Sequence, residues 1–317
     1  MNEQPHMRTV ADVDVIIPLY NAAPFIQEAV TSVLEQSVLP KRVIVVDDGS
    51  TDDGAARVEA MIAGGTPTTV QLFRQSNKGP NAARDLGLRH ASATYVAFLD
   101  ADDRWLPRKL ELQLGRFANP REEGLLLVYC GARTFGAENA PSHLAPKVVE
   151  TPLRGRVFER LLAKNRITGG ASAVLIKRSC FDQLGSFDVS LRTSEDFDMW
   201  LRISQSGSID LVEEVLVELR DHPANHTKKA LHMLEGILLF NAKWFGHAQG
   251  DPDVLKEWAH LIALFALRAG DTAAAKKLVD RILSRDQQRT IFHRTFGSFH
   301  LHMWLKRLRS ILDPRSA

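Results

Sequence analysis

Three carboxylates, Asp100, Asp102 and Asp103, follow at once on the apolar run Tyr95–Leu99. Carboxylates this close repel one another, so a cleft-lining set needs a hard divalent cation or basic partners. At the carboxyl end of a parallel strand, where α/β folds place their ligand crevice, the pattern reads as a metal bound together with a substrate phosphate. The same residues in a solvated loop would simply cap the next helix, which begins near Trp105-Leu106-Pro107. A second acidic loop, Asp47-Asp48-Gly49-Ser50, ends another β-branched run. Ser50 and Thr51 read as helix caps, while an acidic residue at the end of a second strand can hydrogen-bond a ribose or a base edge. Glu195-Asp196 opens a helical pattern with Phe197, Trp200, Leu201 and Ser204 on one face. Asp196 could supply a general base, or the pair could merely favour the helix amino terminus electrostatically.

The elements that must position these residues alternate. Val13–Ile17, Arg42–Val46, Gln71–Phe73 and Tyr95–Leu99 predict buried parallel strands. Helical periodicity runs from a cap at Asn21 to Gln36, then over Asp53–Ala63 and Asn81–Ala91. Such alternation predicts a doubly wound α/β sheet whose loops at Tyr20-Asn21, Asp47-Asp48, Arg84 and Asp100–Asp103 converge on one rim. Further strands are expected at Leu125–Tyr129, Ala173–Ile176 and within Leu211–Arg220, with an irregular stretch over Gly131–Pro152. Short helical segments are expected around Val157–Ala163 and Ser179–Leu184. Beyond about Ala224 the β signals vanish. The expected division is therefore a flexible N-terminus over 1–10, a catalytic domain over 11–225 and an all-α region over 226–317.

Composition narrows the function by exclusion. A formal net charge of +2 over 317 residues gives no global case for a nucleic-acid partner. No run approaches the roughly 18 apolar residues of a membrane span, and the polar start lacks an apolar leader. Cys130 and Cys180 form neither a metal pair nor a disulfide framework, as expected of small apolar residues in a reducing cytoplasm. After the first strand stands Pro18-Leu19-Tyr20-Asn21-Ala22, without glycine, which argues against a dinucleotide fingerprint or a P-loop.

Taken together, Val15-Ile16-Ile17-Pro18-Leu19-Tyr20-Asn21, Val46–Asp52, Asn77-Lys78-Gly79 with Ala83-Arg84, and Phe98–Asp103 closely resemble glycosyltransferase family 2, inverting enzymes of GT-A fold. The resemblance continues through Gly169–Ser172, Gly185–Asp188 and Glu195–Arg202 to Arg220-Asp221-His222-Pro223. It implies a nucleoside diphosphate sugar donor, UDP-linked by expectation, lying across the carboxyl rim. Pro18, Tyr20, Asn21 and Asp48 would surround the base, with Arg84 near the nucleotide. Asp100 and Ala101 would serve the ribose side, and Asp102 with Asp100 would hold Mn2+ or Mg2+. Arg220 and His222 would cover the diphosphate, with His226, Lys228 and Lys229 extending a basic lid. Gly169, Gly170, Glu195 and Trp200 would shape the sugar or acceptor pocket, and Asp196 would be the general base. One departure is Asp85, where the family usually has Asn after the Ala-Arg pair.

The resemblance also implies a glycan or lipid-linked acceptor in surface polysaccharide synthesis. Two competing readings are a sugar nucleotidyltransferase, against which the missing Gly-rich loop argues, and a non-catalytic sugar-nucleotide or glycan-binding protein. Trp258–Ser284 reads as two helices around Ala269-Gly270-Asp271, expected to pack on the catalytic domain or on a second subunit in a homodimer. Leu301, Trp304, Leu305, Leu308, Ile311 and Leu312 would share one face of a final basic helix. That pattern suits either ordinary packing or peripheral contact with the inner face of an anionic membrane.

Overall fold

The computed structural model describes residues 8–136, 152–167, 169–191, 193–221 and 230–296. His222, the 226–229 segment, part of the irregular stretch and the amphipathic 299–317 segment lie outside these residues.

Strand and helix alternate through the first hundred residues: β1 (Val10–Leu19), α1 (Ile26–Leu34), β2 (Leu39–Asp47), α2 (Gly54–Ala63), β3 (Thr69–Arg74), α3 (Pro80–His90) and β4 (Tyr95–Phe98). Then come β5 (Arg104–Trp105), α4 (Lys109–Ala118), β6 (Leu125–Phe135), α5 (Phe158–Ala163), a 3-10 turn (Gly170–Ala173), β7 (Val174–Lys177) and α6 (Ser179–Leu184). α7 (Glu195–Ser206) and β8 (Ser208–Arg220) precede four helices, α8 (Ala230–Ala248), α9 (Pro252–Arg268), α10 (Thr272–Ile282) and α11 (Arg285–Phe296). The strands form one sheet in the order β3-β2-β1-β4-β7-β6-β8-β5.

β1 is flanked by parallel β2 and β4, so Val13, Val15, Ile16, Ile17 and Leu19 are all enclosed, each worth roughly 1.5–3 kcal/mol of burial. α3 lies so close to this strand that a Cβ on Gly87 would fall 2.5 Å from Ile16 Cγ2. The doubly wound expectation holds only for this half of the sheet. β7 runs antiparallel to both β4 and β6, and β5 antiparallel to β8. Strands buried on both faces read as continuous apolar runs in either direction, so their sequences do not reveal the reversal. Its consequence is useful: the turn entering β7 lands on the same rim as the carboxyl ends of β1, β2, β3, β4, β6 and β8. The opposite rim is closed by Asp14, fully buried, which takes two bonds from Arg42 (2.9 and 2.6 Å) and two from the Ser92 and Ala93 amides (2.6 and 2.9 Å).

Backbone proximity divides the chain into two units. The first comprises Met1–Val157, Arg166–Val189 and Met199–His222, and the second Phe158–Asn165, Ser190–Asp198 and Pro223–Ala317. In the second unit, Asp251 and Asp271 cap α9 and α10 by accepting amide bonds from Asp253 and Val254 and from Ala273 and Ala274. The Trp258 indole donates to the Leu162 carbonyl at 3.0 Å, tying α9 to α5. Among the described residues no helix is long and apolar enough to cross a membrane.

Candidate active site

The loops after β1 and β2 are knitted together. Asn21 takes a left-handed backbone (φ 48°), and its side-chain oxygen accepts from the Thr51 amide at 2.8 Å. The Asn21 amide in turn donates to Ser50 Oγ at 3.1 Å. Asn21 is therefore a loop latch and not the cap of α1, which starts five residues later with no side-chain cap. Ser50 and Thr51 serve that latch as well, and do not cap α2. Asp52 adds a further tie, accepting from the Ala23 amide at 2.8 Å. Tyr20 stands 51% exposed on the rim, an aromatic face open to solvent, beside half-buried Pro18.

Asp48, expected beside the base, is held by the neighbouring turn. Its carboxylate is buried and accepts from Gln75 Nε2 (2.7 Å), the Lys78 amide (2.8 Å) and the Gly79 amide (2.8 Å). Its place is inside the turn between β3 and α3, because those donors satisfy it there. Gly49 makes the approach possible: at φ 73°, a Cβ would sit 2.9 Å from the Asn77 amide nitrogen.

The acidic loop after β4 is held from three directions. From α3, buried Arg84 forms a 2.7 Å ion pair with Asp100 Oδ1, while its other terminal nitrogen reaches Asn81 at 3.2 Å. From the turn entering β7, Ser172 accepts from the Asp100 amide (3.1 Å) and donates to Asp103 Oδ2 (2.8 Å). From β8, the Arg220 amide donates to Asp103 Oδ1 (3.0 Å) and its Nε to the Asp102 carbonyl (2.9 Å). Burial, and then the charges of Asp100 and Asp102, push the Asp103 carboxyl well above the usual carboxylate range. Ala101 turns its methyl into the core, so its side chain is not a ligand-facing group.

Arg220 departs from the expected lid role. Its guanidinium pairs with Glu28 on α1 and lies between Phe25 and Phe135, 4.8 and 4.3 Å from the ring centres. It braces the acidic loop from behind. Glu28 also pairs with Arg104, and Glu218 with Arg104 and Arg133, completing a charged cluster under the loop. Burial opposes the Glu218 charge, but bonds from Arg133 and Arg104 outweigh it and hold this carboxyl below the usual range. Trp200 is another correction: it is fully enclosed, edge-on to Phe187 at 6.4 Å, and supports the core instead of lining a pocket. Gly169 (φ 88°) leaves no room for a Cβ, which would lie 2.9 Å from both Ala132 Cβ and Ala173 Cβ. With Gly170 it turns the chain into Ser172.

Sequence reasoning missed one buried layer beneath this loop. Lys109 is fully buried, 2.9 Å from Gln113 Oε1 and 3.9 Å from the centre of the Trp105 ring. Trp105 donates its indole N–H to the Ser172 carbonyl at 2.9 Å, and Gln113 donates to the Ala173 carbonyl at 2.8 Å. The i, i+4 spacing of Lys109 and Gln113 on α4 is the only trace of this layer in the sequence.

Glu195 and Asp196 open α7 in the second unit, both half-buried. Asp196 Oδ1 accepts from the next amide, Phe197, at 2.6 Å. Phe197 and Asp198 beyond it are buried.

A divalent ion suits the donor chemistry of the acidic loop. Asp102 is half-buried at the rim, and the Arg84 pair engages only one oxygen of Asp100. Among the described residues no group of three or more His, Cys, Asp or Glu side chains could form a closed metal cage. One or two carboxylates that leave positions for substrate phosphate are how Mg2+-type ions are usually held.

The family model described as glycosyl transferase family 2 matches residues 14–185. An uncharacterized glycosyltransferase of Rickettsia typhi is 30% identical over 237 residues, 74% of this chain and 70% of that protein. Two solved structures share the fold. S. aureus TarS 1-349 in complex with UDP-GlcNAc aligns with a TM-score of 0.59 at 14% identity, over 94% of this chain and 91% of that one. The mannosyltransferase PcManGT from Pyrobaculum calidifontis, in complex with GDP-Man and Mn2+, aligns with a TM-score of 0.59 at 18% identity, over 98% and 90%. The rim loops, the acidic loop and these matches identify the chain as a GT-A glycosyltransferase belonging to glycosyltransferase family 2.

Proposed function

We propose that the protein is a metal-dependent inverting glycosyltransferase that moves a sugar from a nucleoside diphosphate, UDP by preference, to a hydroxyl of a glycan or lipid-linked acceptor in surface polysaccharide synthesis. The observation that carries the reading is the acidic loop, three carboxylates held at the rim by Arg84, Ser172 and Arg220 beside the latched β1 and β2 loops. The UDP-GlcNAc and GDP-Man bound by the two structural neighbours support a nucleoside diphosphate sugar, and the Mn2+ of the second supports a divalent ion.

In this reading the β1 and β2 loops receive the base, with Tyr20 stacking on it and Asp48 acting through the turn it holds. Asp102, with the second oxygen of Asp100, would hold Mg2+ or Mn2+, whose contribution when bound is to stabilise charge on the departing diphosphate. Arg84 orients Asp100 through its ion pair. Asp196 takes the proton from the attacking hydroxyl on the opposite face of the sugar, the one base a single displacement needs. Residues 299–317 are the proposed contact with an anionic membrane surface, tested by liposome binding of the whole chain against a chain ending at Ser298.

The primary test is calorimetric binding of UDP, GDP, CDP and dTDP, each with and without Mn2+, to wild type and Asp102→Asn. One nucleotide should bind, and its affinity should depend on both the metal and Asp102. Asp196→Asn should bind that nucleotide normally and fail to transfer. Binding of no nucleotide, or wild-type turnover by Asp196→Asn, would refute the reading.

A further inference from the structure

The second unit contains Ser190–Asp198 as well as the C-terminal helices, so Asp196 belongs with α8. One face of α8 holds that segment on both sides of Asp196. Upstream, Gly236 meets Thr193 so closely that a Cβ there would fall 1.5 Å from Thr193 Oγ1 and 3.0 Å from its carbonyl oxygen. Downstream, Phe240 stacks on Phe197 with ring centres 4.4 Å apart and planes 13° from parallel. One turn further, Lys243 Nζ (2.7 Å) and Trp244 Nε1 (2.9 Å) converge on Asp198 Oδ1, a carboxylate with no exposed area. Positions 236, 240, 243 and 244 recur at helical spacing and form one stripe. Between these anchors Ser194 takes a left-handed backbone (φ 65°), and its carbonyl accepts the Asp198 amide at 2.9 Å.

We infer that this stripe of α8 is the positioning device for Asp196. The inference rests on Asp196 being the base. Gly236, Phe240, Lys243 and Trp244 act through Thr193, Phe197 and Asp198 and are positioning residues. A buried carboxylate fixed by an ammonium and an indole tolerates little movement, because displacing either donor leaves charge uncompensated. A base displaced by about 1 Å can lose on the order of 100-fold in rate. Nothing local to Glu195-Asp196 announces the arrangement, since Trp244 stands 46 residues from its partner.

The test uses the whole chain and four variants: Lys243→Met, Lys243→Arg, Trp244→Phe and Asp196→Asn. Turnover is followed as release of UDP from UDP-GlcNAc or GDP from GDP-Man, with calorimetric affinity for UDP plus Mn2+ and amide exchange of residues 193–198 read alongside. Lys243→Met should lower kcat about 10- to 100-fold while KM and the UDP affinity stay within about twofold. Lys243→Arg should recover most of that loss. Amide exchange at 193–198 should accelerate in Lys243→Met and in Trp244→Phe, a readout that needs no turnover and, in the second variant, no change of charge. Wild-type kcat in Lys243→Met, parallel loss of kcat and UDP affinity without rescue by Lys243→Arg, or unchanged exchange in both variants would overturn the inference. Asp196→Asn separates the two ideas. Turnover retained there removes the base assignment itself, whereas an inactive Asp196→Asn beside a wild-type-like Lys243→Met removes only the role of α8.

Discussion

Lys109 is the group whose replacement tests the buried layer beneath the acidic loop most directly. Burial pulls its ammonium from the ordinary 10.5 down to about 8, with no carboxylate at hand to oppose the shift. At about 1.4 kcal/mol for each tenfold change in proton affinity, that difference amounts to about 3 kcal/mol of charge-burial cost below pH 8. Lys109→Met removes this cost. It also removes the Gln113 bond, worth about 1.5–3 kcal/mol, and the contact with the Trp105 ring, worth about 2 kcal/mol when desolvated. At pH 7 these effects leave a net loss of only about 0.5–2 kcal/mol, so the decisive quantity is the pH dependence.

Between pH 8 and 10.5 the unfolded chain keeps the lysine proton and the folded chain has lost it. Stability therefore rises with pH across that window, by about 3 kcal/mol, and only in the protein that carries the lysine. The Cys130 thiol, raised by burial to about 11, works in the opposite sense from about pH 9 upward. Lys109 and this thiol attract each other, so its share does not cancel above about pH 9, and the difference between the proteins is read first between pH 8 and 9. The measurement is thermal unfolding of wild type and Lys109→Met at half-unit steps from pH 7 to 10.5, followed by tryptophan fluorescence. At roughly 2 °C per kcal/mol for a unit of this size, the wild-type transition should gain about 6 °C on the variant across the series. A difference that stays flat, or that falls as the pH rises, would refute the assignment of a charged, unpaired lysine to this layer.

Three further perturbations bear on the rim and its support. Asp14→Ala strands the Arg42 charge at the opposite pole and should cost about 3–5 kcal/mol by urea unfolding while leaving nucleotide affinity intact; a loss under about 1 kcal/mol would contradict a buried pair. Gly49→Ala forces a Cβ against the Asn77 amide at positive φ, which should cost about 1–3 kcal/mol and weaken UDP–Mn2+ binding at least tenfold by calorimetry; wild-type affinity would show that the β2 loop does not shape the nucleotide site. Ser172→Ala removes one bond from the Asp100 amide and one from Asp103, an expected cost of about 1–3 kcal/mol in melting. Metal-dependent UDP binding should weaken with it, and unchanged binding would separate the order of the acidic loop from its function.

The first half of the fold was legible because its determinants are local. Four apolar runs alternate with helical periodicity, and each loop carries its own Asp, Gly or Asn. That pattern placed Asp48, Arg84 and Asp100–Asp103 near one rim with no information about tertiary contacts. Their individual duties were less legible, because a carboxylate's role depends on which donors arrive from elsewhere. Asp48 read as a ligand to a base, and nothing in its own segment showed that three donors from the 75–79 turn also anchor it. Arg220 looked like a lid residue, and its partner Glu28 stands 192 positions away. Trp200 looked like a pocket wall because helical periodicity gives a face without saying what covers it. The reversal of β7 left no mark, since a doubly buried strand is equally apolar in either direction.

The same contacts explain how three neighbouring aspartates can share one loop. Asp100 is neutralised across the rim by Arg84, an arginine enclosed in α3. Asp103 is withdrawn from solvent, and burial together with its two acidic neighbours favours its protonated form, so it adds less charge than its type suggests. Arg220 adds two donors, its main-chain amide to Asp103 Oδ1 and its Nε to the Asp102 carbonyl. The repulsion is thus relieved from three elements distant in sequence, and Asp102 stands half-buried at the rim. If Asp102 meets metal and nucleotide as proposed, Arg84, Ser172 and Arg220 matter because they fix the loop that presents it.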